Sequence, residues 1–82
     1  MISVVYFARL KEVCALTEET LTSTPATVAD LIVLLSARGG VWAEELAGGK
    51  VFRVAINHEM AYLSDVIPDG AEVAIFPPVT GG

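Results

Sequence analysis

The stretch Thr27-Val28-Ala29-Asp30-Leu31-Ile32-Val33-Leu34-Leu35-Ser36-Ala37-Arg38-Gly39-Gly40 reads as one short helix with both ends marked. The Thr27 hydroxyl can accept a backbone N–H of the first turn, and Asp30, three residues on, comes close to completing a capping box. Val28, Leu31, Leu34 and Leu35 recur at helical spacing and predict the buried stripe. Gly39-Gly40 supply the left-handed residue that ends such a helix. A stripe this apolar needs a sheet to cover, and the sheet must come from the sequence on either side.

Upstream, Ile2 to Ala8 combines β-branched and aromatic residues (Val4, Val5, Tyr6, Phe7) without a turn residue and predicts a strand apolar on both faces. Arg9 to Ala15 fits a helical turn with Leu10, Val13 and Cys14 inward. Thr17 to Thr22 then alternates as a polar strand, which gives a hairpin-like start. Downstream, Val41 to Leu46 predicts a second short helix carrying Trp42, and Val51 to Ile56 a strand. Asn57-His58 suggests a reversal before Met60 to Leu63, and Pro68-Asp69-Gly70 a turn before the last strand, Ala71 to Phe76. Two strands, a helix and then two or three strands predict an α+β β-grasp: a mixed sheet of four to five strands covered on one face by a helix. The expected division is a domain over 1–76 and a flexible tail over 77–82 ending in Gly-Gly. Apolar residues on both sides of the terminal strands (Val5 and Phe7, Ala74 and Phe76) exceed what one core needs and predict a docking surface.

Composition narrows the function. The chain's 82 residues suffice for one small core, and ten acidic against five basic side chains leave a net charge of −5. That charge repels phosphate backbones and anionic membranes, and only 7% of residues are aromatic, so neither nucleic acid nor membrane is an expected partner. The apolar stretch Ile2 to Ala8 has no basic region before it and stops at Arg9, which argues against a signal peptide or spanning helix and for a cytoplasmic protein. Cys14 is the only cysteine and His58 the only histidine, so no set of metal ligands or disulfide framework is expected.

The C-terminal residues carry the chemistry. Pro77-Pro78 remove two N–H donors, end sheet pairing and stiffen the root of Val79-Thr80-Gly81-Gly82. Glycine without a Cβ lets a backbone thread a narrow channel. A stiff root and slim tip suit delivery of the Gly82 carboxylate into another protein's site. A carboxylate resists nucleophilic attack, so its use requires activation, typically by ATP as an acyl-adenylate that a sulfur nucleophile then displaces. The product is a C-terminal thiocarboxylate, a sulfur nucleophile carried on a protein.

The ending Phe76-Pro77-Pro78-Val79-Thr80-Gly81-Gly82, preceded by Pro68-Asp69-Gly70-Ala71-Glu72-Val73-Ala74, resembles the small subunits of molybdopterin synthase. So do the start Met1-Ile2-Ser3-Val4-Val5-Tyr6-Phe7-Ala8, Pro25-Ala26-Thr27-Val28 and Ala55-Ile56-Asn57; the segment from Arg38 to Lys50 is the least similar. The resemblance implies a ubiquitin-like β-grasp sulfur carrier. Its Gly82 would be adenylated by a ubiquitin-activator-like adenylyltransferase that uses ATP, and converted to a thiocarboxylate. The tail Pro77, Pro78, Val79, Thr80 and Gly81 would enter the active site of the large subunit, in a heterotetramer of two small and two large subunits. Sulfur would pass to cyclic pyranopterin monophosphate to build the molybdopterin dithiolene. The resemblance also implies large-subunit contacts at Phe7, Met60 and Phe76, and no stably bound cofactor.

Other residues have plainer readings. Cys14 in an apolar setting reads as core, His58 as a solvated turn residue, Gly49-Lys50 as a turn without the rest of a phosphate loop, and Trp42 as packing. No catalytic set for an independent enzyme is visible. Two alternatives stand beside the synthase subunit: a sulfur carrier for thiazole synthesis in the thiamine pathway, and a ubiquitin-like modifier joined to lysines of target proteins.

Overall fold

A computed structural model of the chain describes residues 1–48 and 51–77. The turn expected at Gly49-Lys50 and the tail from Pro78 to Gly82 lie outside these residues. Five strands and three helices follow in the order β1 (Ile2–Tyr6), α1 (Ala8–Val13), β2 (Glu18–Leu21), α2 (Val28–Ser36), α3 (Gly40–Ala47), β3 (Arg53–Ile56), β4 (Glu59–Ala61) and β5 (Glu72–Phe76). The strands form one sheet in the order β2-β1-β5-β3-β4. Its central pair, β1 and β5, is parallel, while β1–β2, β3–β5 and β3–β4 are antiparallel. This is the β-grasp expected from the element order.

The long helix forms as its sequence dictates. The Thr27 hydroxyl accepts from the Asp30 N–H at 3.2 Å and the Asp30 carboxylate accepts from the Thr27 N–H at 3.3 Å, a reciprocal capping box. The N–H groups of Val28 and Ala29, which no helical carbonyl can serve, donate to the carbonyls of Asp65 and Leu63, so the segment before β5 holds the helix start in place. The buried stripe is Val28, Leu31, Ile32 and Leu35. Leu34, expected inward, is exposed, because the helix rolls toward Ile32 where α3 packs beside it.

The core fills one face of the sheet. Ile2, Val4 and Tyr6 of β1, Val54 of β3, and Val73 and Ile75 of β5 meet Val28, Leu31 and Leu35 of α2, Leu10 of α1 and Leu46 of α3. Val51 is exposed and β3 begins only at Arg53, two residues later than expected. Asn57 and His58 both take positive φ (49° and 71°), the pairing that a two-residue hairpin turn between β3 and β4 requires.

At one end of the covered face, side chains from β1, β2, α3 and the turn between α2 and α3 lock together. The Tyr6 hydroxyl donates to Glu19 Oε1 at 3.0 Å, and Arg38 donates to both Glu19 oxygens at 2.7 and 3.2 Å. Arg38 also lies 4.5 Å from the Trp42 ring centre, and Trp42 meets Tyr6 edge-on at 5.3 Å. Burial, reinforced by the Glu19 carboxylate, pushes the Tyr6 phenol well above its ordinary pKa. The phenol therefore stays protonated through the neutral range. Trp42 is a packing residue in this arrangement.

Candidate docking face and tail root

Strand residues alternate between faces, so each residue between two core positions projects from the side the helices leave open. On β1 these are Ser3 and Val5, on β5 Glu72, Ala74 and Phe76, and on β3 Arg53 and Ala55. The register brings them into rows. Val5 pairs with Ala74, Ala74 with Ala55, and Ala55 with Met60, an apolar band that crosses four strands. The Phe7 N–H donates to the Ile75 carbonyl, which continues the parallel pairing and sets Phe7 beside Phe76; Arg53 pairs with Phe76 on its other side.

The three residues singled out for partner contact, Phe7, Met60 and Phe76, thus share the open face. Phe7 is 49% exposed and Met60 62%, while Phe76 is half-buried. The next residue is Pro77, the last described residue of the C-terminal segment, so the aromatic pair stands at the root of the tail. Ala8 follows Phe7 with φ 51°, a left-handed turn that breaks the strand and starts α1. It leaves the Phe7 ring at the sheet's end. Gly82, Gly81, Thr80, Val79 and Pro78 lie outside the described residues.

The remaining reactive groups are not arranged for chemistry. Cys14 is half-buried, less enclosed than the core position expected of it, and burial raises its thiol pKa, opposite to what a sulfur relay requires. His58 is exposed and sits 3.2 Å from Glu72. Among the described residues no group of three or more His, Cys, Asp or Glu side chains converges. No described helix is long and apolar enough to cross a membrane. A shallow groove of about 310 Å³ between β3–β4 and the start of α2 is lined mainly by Val28, Val51, Phe52, Val54 and Leu63 and presents no nucleophile beside a base.

The structure brings Phe7 and Phe76 together, sets Met60 on the same face, and adds beside them Arg53, which the sequence reading did not single out. Its signal was available: it is the only lysine or arginine on the five strands, two residues before Ala55 and so on the same face.

Known proteins agree with this architecture. Residues 4–82 match the ThiS family. The molybdopterin synthase sulfur carrier subunit of Haemophilus influenzae is 37% identical over 82 residues, the whole of both chains. SAMP1 from Haloferax volcanii superposes with a TM-score of 0.72 at 31% identity, over 99% of this chain and 98% of that one. Subunit 1 of the molybdopterin-converting factor from Helicobacter pylori, solved as a complex with subunit 2, shares the fold with a TM-score of 0.66 at 23% identity, over 99% and 97% of the two chains. A five-stranded β-grasp, an apolar open face at the root of the tail and full-length similarity together show that this chain belongs to the ThiS family, among the sulfur carrier subunits of molybdopterin synthase.

Proposed function

We propose that Gly82 is the sulfur-bearing residue and that the open face docks the chain so that Pro77, Pro78, Val79, Thr80 and Gly81 reach into a partner's active site. The carboxylate of Gly82 attacks ATP on an adenylyltransferase related to ubiquitin activators, releasing pyrophosphate and forming an acyl-adenylate. A sulfur nucleophile displaces AMP and leaves a thiocarboxylate. On the large subunit of the synthase that sulfur attacks an electrophilic carbon of cyclic pyranopterin monophosphate, and hydrolysis of the acyl–sulfur bond returns the carboxylate. Two turns of this cycle supply the two sulfurs of the dithiolene. Two copies of this chain flank a dimer of the large subunit in a heterotetramer.

The observation that carries the reading is the convergence of Phe7 and Phe76 on the open face directly before Pro77. Aromatic side chains exposed on a sheet contribute little to folding, whereas aromatic anchors dominate many interfaces. Their place at the tail's root ties docking to delivery.

The test is the intact mass of the protein after incubation with ATP, the adenylyltransferase and a sulfur donor. The expected result is exchange of one oxygen for sulfur, localised to Gly82 by fragmentation. Deleting Gly82 is expected to abolish the exchange while leaving the unfolding midpoint unchanged. No exchange with a demonstrably competent activating enzyme would overturn the assignment.

A further inference from the structure

The chain's three arginines are not treated alike by the fold. Arg9 reaches the buried Glu45 at 3.2 Å, and Arg38 holds Glu19 with two hydrogen bonds. Arg53 is exposed and, among the described residues, has no ion pair, although the protein carries a net charge of −5 and has acidic side chains to spare. It lies on the open face, paired with Phe76, in the row Phe7–Phe76–Arg53 at the root of the tail. The acidic residues of the same face stand elsewhere: Glu18 beside Val5 on the β2 edge, and Glu72, with His58 at 3.2 Å, four residues down β5 from Phe76. The open face is therefore polarised, with a guanidinium on the β3 side of the tail root and carboxylates on the opposite β2 edge and at the far end of β5.

Building on the docking reading above, we propose that Arg53 sets the orientation of docking by pairing with a carboxylate that the synthase's large subunit presents at the mouth of the channel receiving the tail. An apolar band alone fixes contact but not rotation, because dispersion and the hydrophobic effect have little directionality. A planar guanidinium that donates to a carboxylate through two parallel bonds supplies the missing direction. The complementary arrangement is a large-subunit surface with its acidic group against Arg53 and its basic groups against Glu18 and Glu72. A docking turned by half a revolution would bring like charges together, which interfaces strongly disfavour. Gly82 lies six residues beyond Phe76, roughly 20 Å along an extended chain, so Arg53 is a positioning residue and does not touch the reacting sulfur.

The experiment uses full-length chain in thiocarboxylate form and purified large subunit, with affinity measured at low and high salt and single-turnover sulfur transfer measured at saturating large subunit. Arg53→Glu is expected to weaken binding by on the order of tenfold or more at low salt, to flatten its salt dependence, and to slow transfer at saturating large subunit, because wrongly rotated complexes do not deliver the tail. Arg53→Lys is expected to fall between the two, since it keeps the charge and loses the fork. Phe76→Ala serves as the companion variant, and circular dichroism establishes that each variant is folded. If Phe76→Ala loses affinity while Arg53→Glu binds within about twofold of the parent, the orienting role is overturned and the docking face stands. If neither variant changes affinity, the docking face itself is wrong.

Discussion

Ile75 and Phe76 are neighbours on one strand and belong to two different events. Ile75 is fully enclosed beneath the helices, while Phe76 stands half-buried on the side they leave bare. The same division runs through the sheet: Val4 and Val73 are enclosed on one face, and Val5 and Ala74 lie directly behind them on the other. Apolar side chains on the first face are withdrawn from water when the chain folds, and, on the docking reading proposed above, those on the second when it docks. A strand that reads as apolar on both sides is thus the sum of two interfaces, one internal and one shared.

Paired substitutions test that division most sharply. Ile75→Ala should lower the free energy of unfolding by about 2–5 kcal/mol, read by urea titration, while the fraction that stays folded binds large subunit with unchanged affinity. Phe76→Ala should do the reverse, weakening the complex by roughly thirtyfold or more and moving stability by about 1 kcal/mol or less. Equal effects of both on both measurements would erase the distinction between the faces.

A smaller effect belongs to the covered face alone. Thr27→Ala removes the hydroxyl that caps α2 and should cost about 1 kcal/mol of stability with no change in docking. Replacement by serine, which keeps the hydroxyl, should recover most of the loss. Failure of serine to rescue would assign the effect to the lost methyl group instead.

The smallest effect touches both faces equally, because it acts on the central strand pair they share. The Met1 ammonium contacts Asp69 and Thr24, the Thr24 hydroxyl donates to Asp69 at 2.8 Å, and the Gly70 N–H donates to the Met1 carbonyl at 2.7 Å, clamping the start of β1 to the turn before β5. The ammonium, followed by the Thr24 hydroxyl, holds the Asp69 carboxyl below the usual carboxylate range. A carboxyl with a depressed folded-state pKa contributes stability above its unfolded value, about 4, and loses it as pH falls through the lower folded value. Unfolding midpoints measured between pH 6 and pH 2 should therefore fall slightly less steeply for Asp69→Asn than for the parent, the group being fully exposed. An unchanged acid limb would show that the clamp acts through its backbone bond alone.

What could be read from the chain alone follows the range of the interactions. The cap at Thr27 and Asp30, the turns at Asn57-His58 and Gly70, and the stop at Pro77 are written within a few residues and were legible as such. The apolar character of the open face was legible because alternation puts Val5, Ala74 and Phe76 on one side wherever the partner strands lie. Periodicity could not choose between Ile32 and Leu34, which flank the Leu31–Leu35 line on opposite sides; the roll of α2 depends on α3, which packs against it from outside that window. The Tyr6–Glu19–Arg38–Trp42 network was invisible for the same reason, since its members come from two strands, a helix and the turn before it. Arg53 could be noticed as the one basic residue on the strands, but nothing near it in sequence says what it adjoins. Its meaning comes from the register that sets it beside Phe76.

The strand made last, β5, lies at the centre of the sheet, hydrogen-bonded to β1 on one side and β3 on the other. Until it leaves the ribosome, β1 with β2 and β3 with β4 are two unconnected hairpin-like fragments, and α2 has no continuous floor beneath it. Pairing the two ends of the chain also demands the largest loop closure this length allows, which slows folding. A chain broken off before β5 lacks the centre of the core and the centre of the open face together.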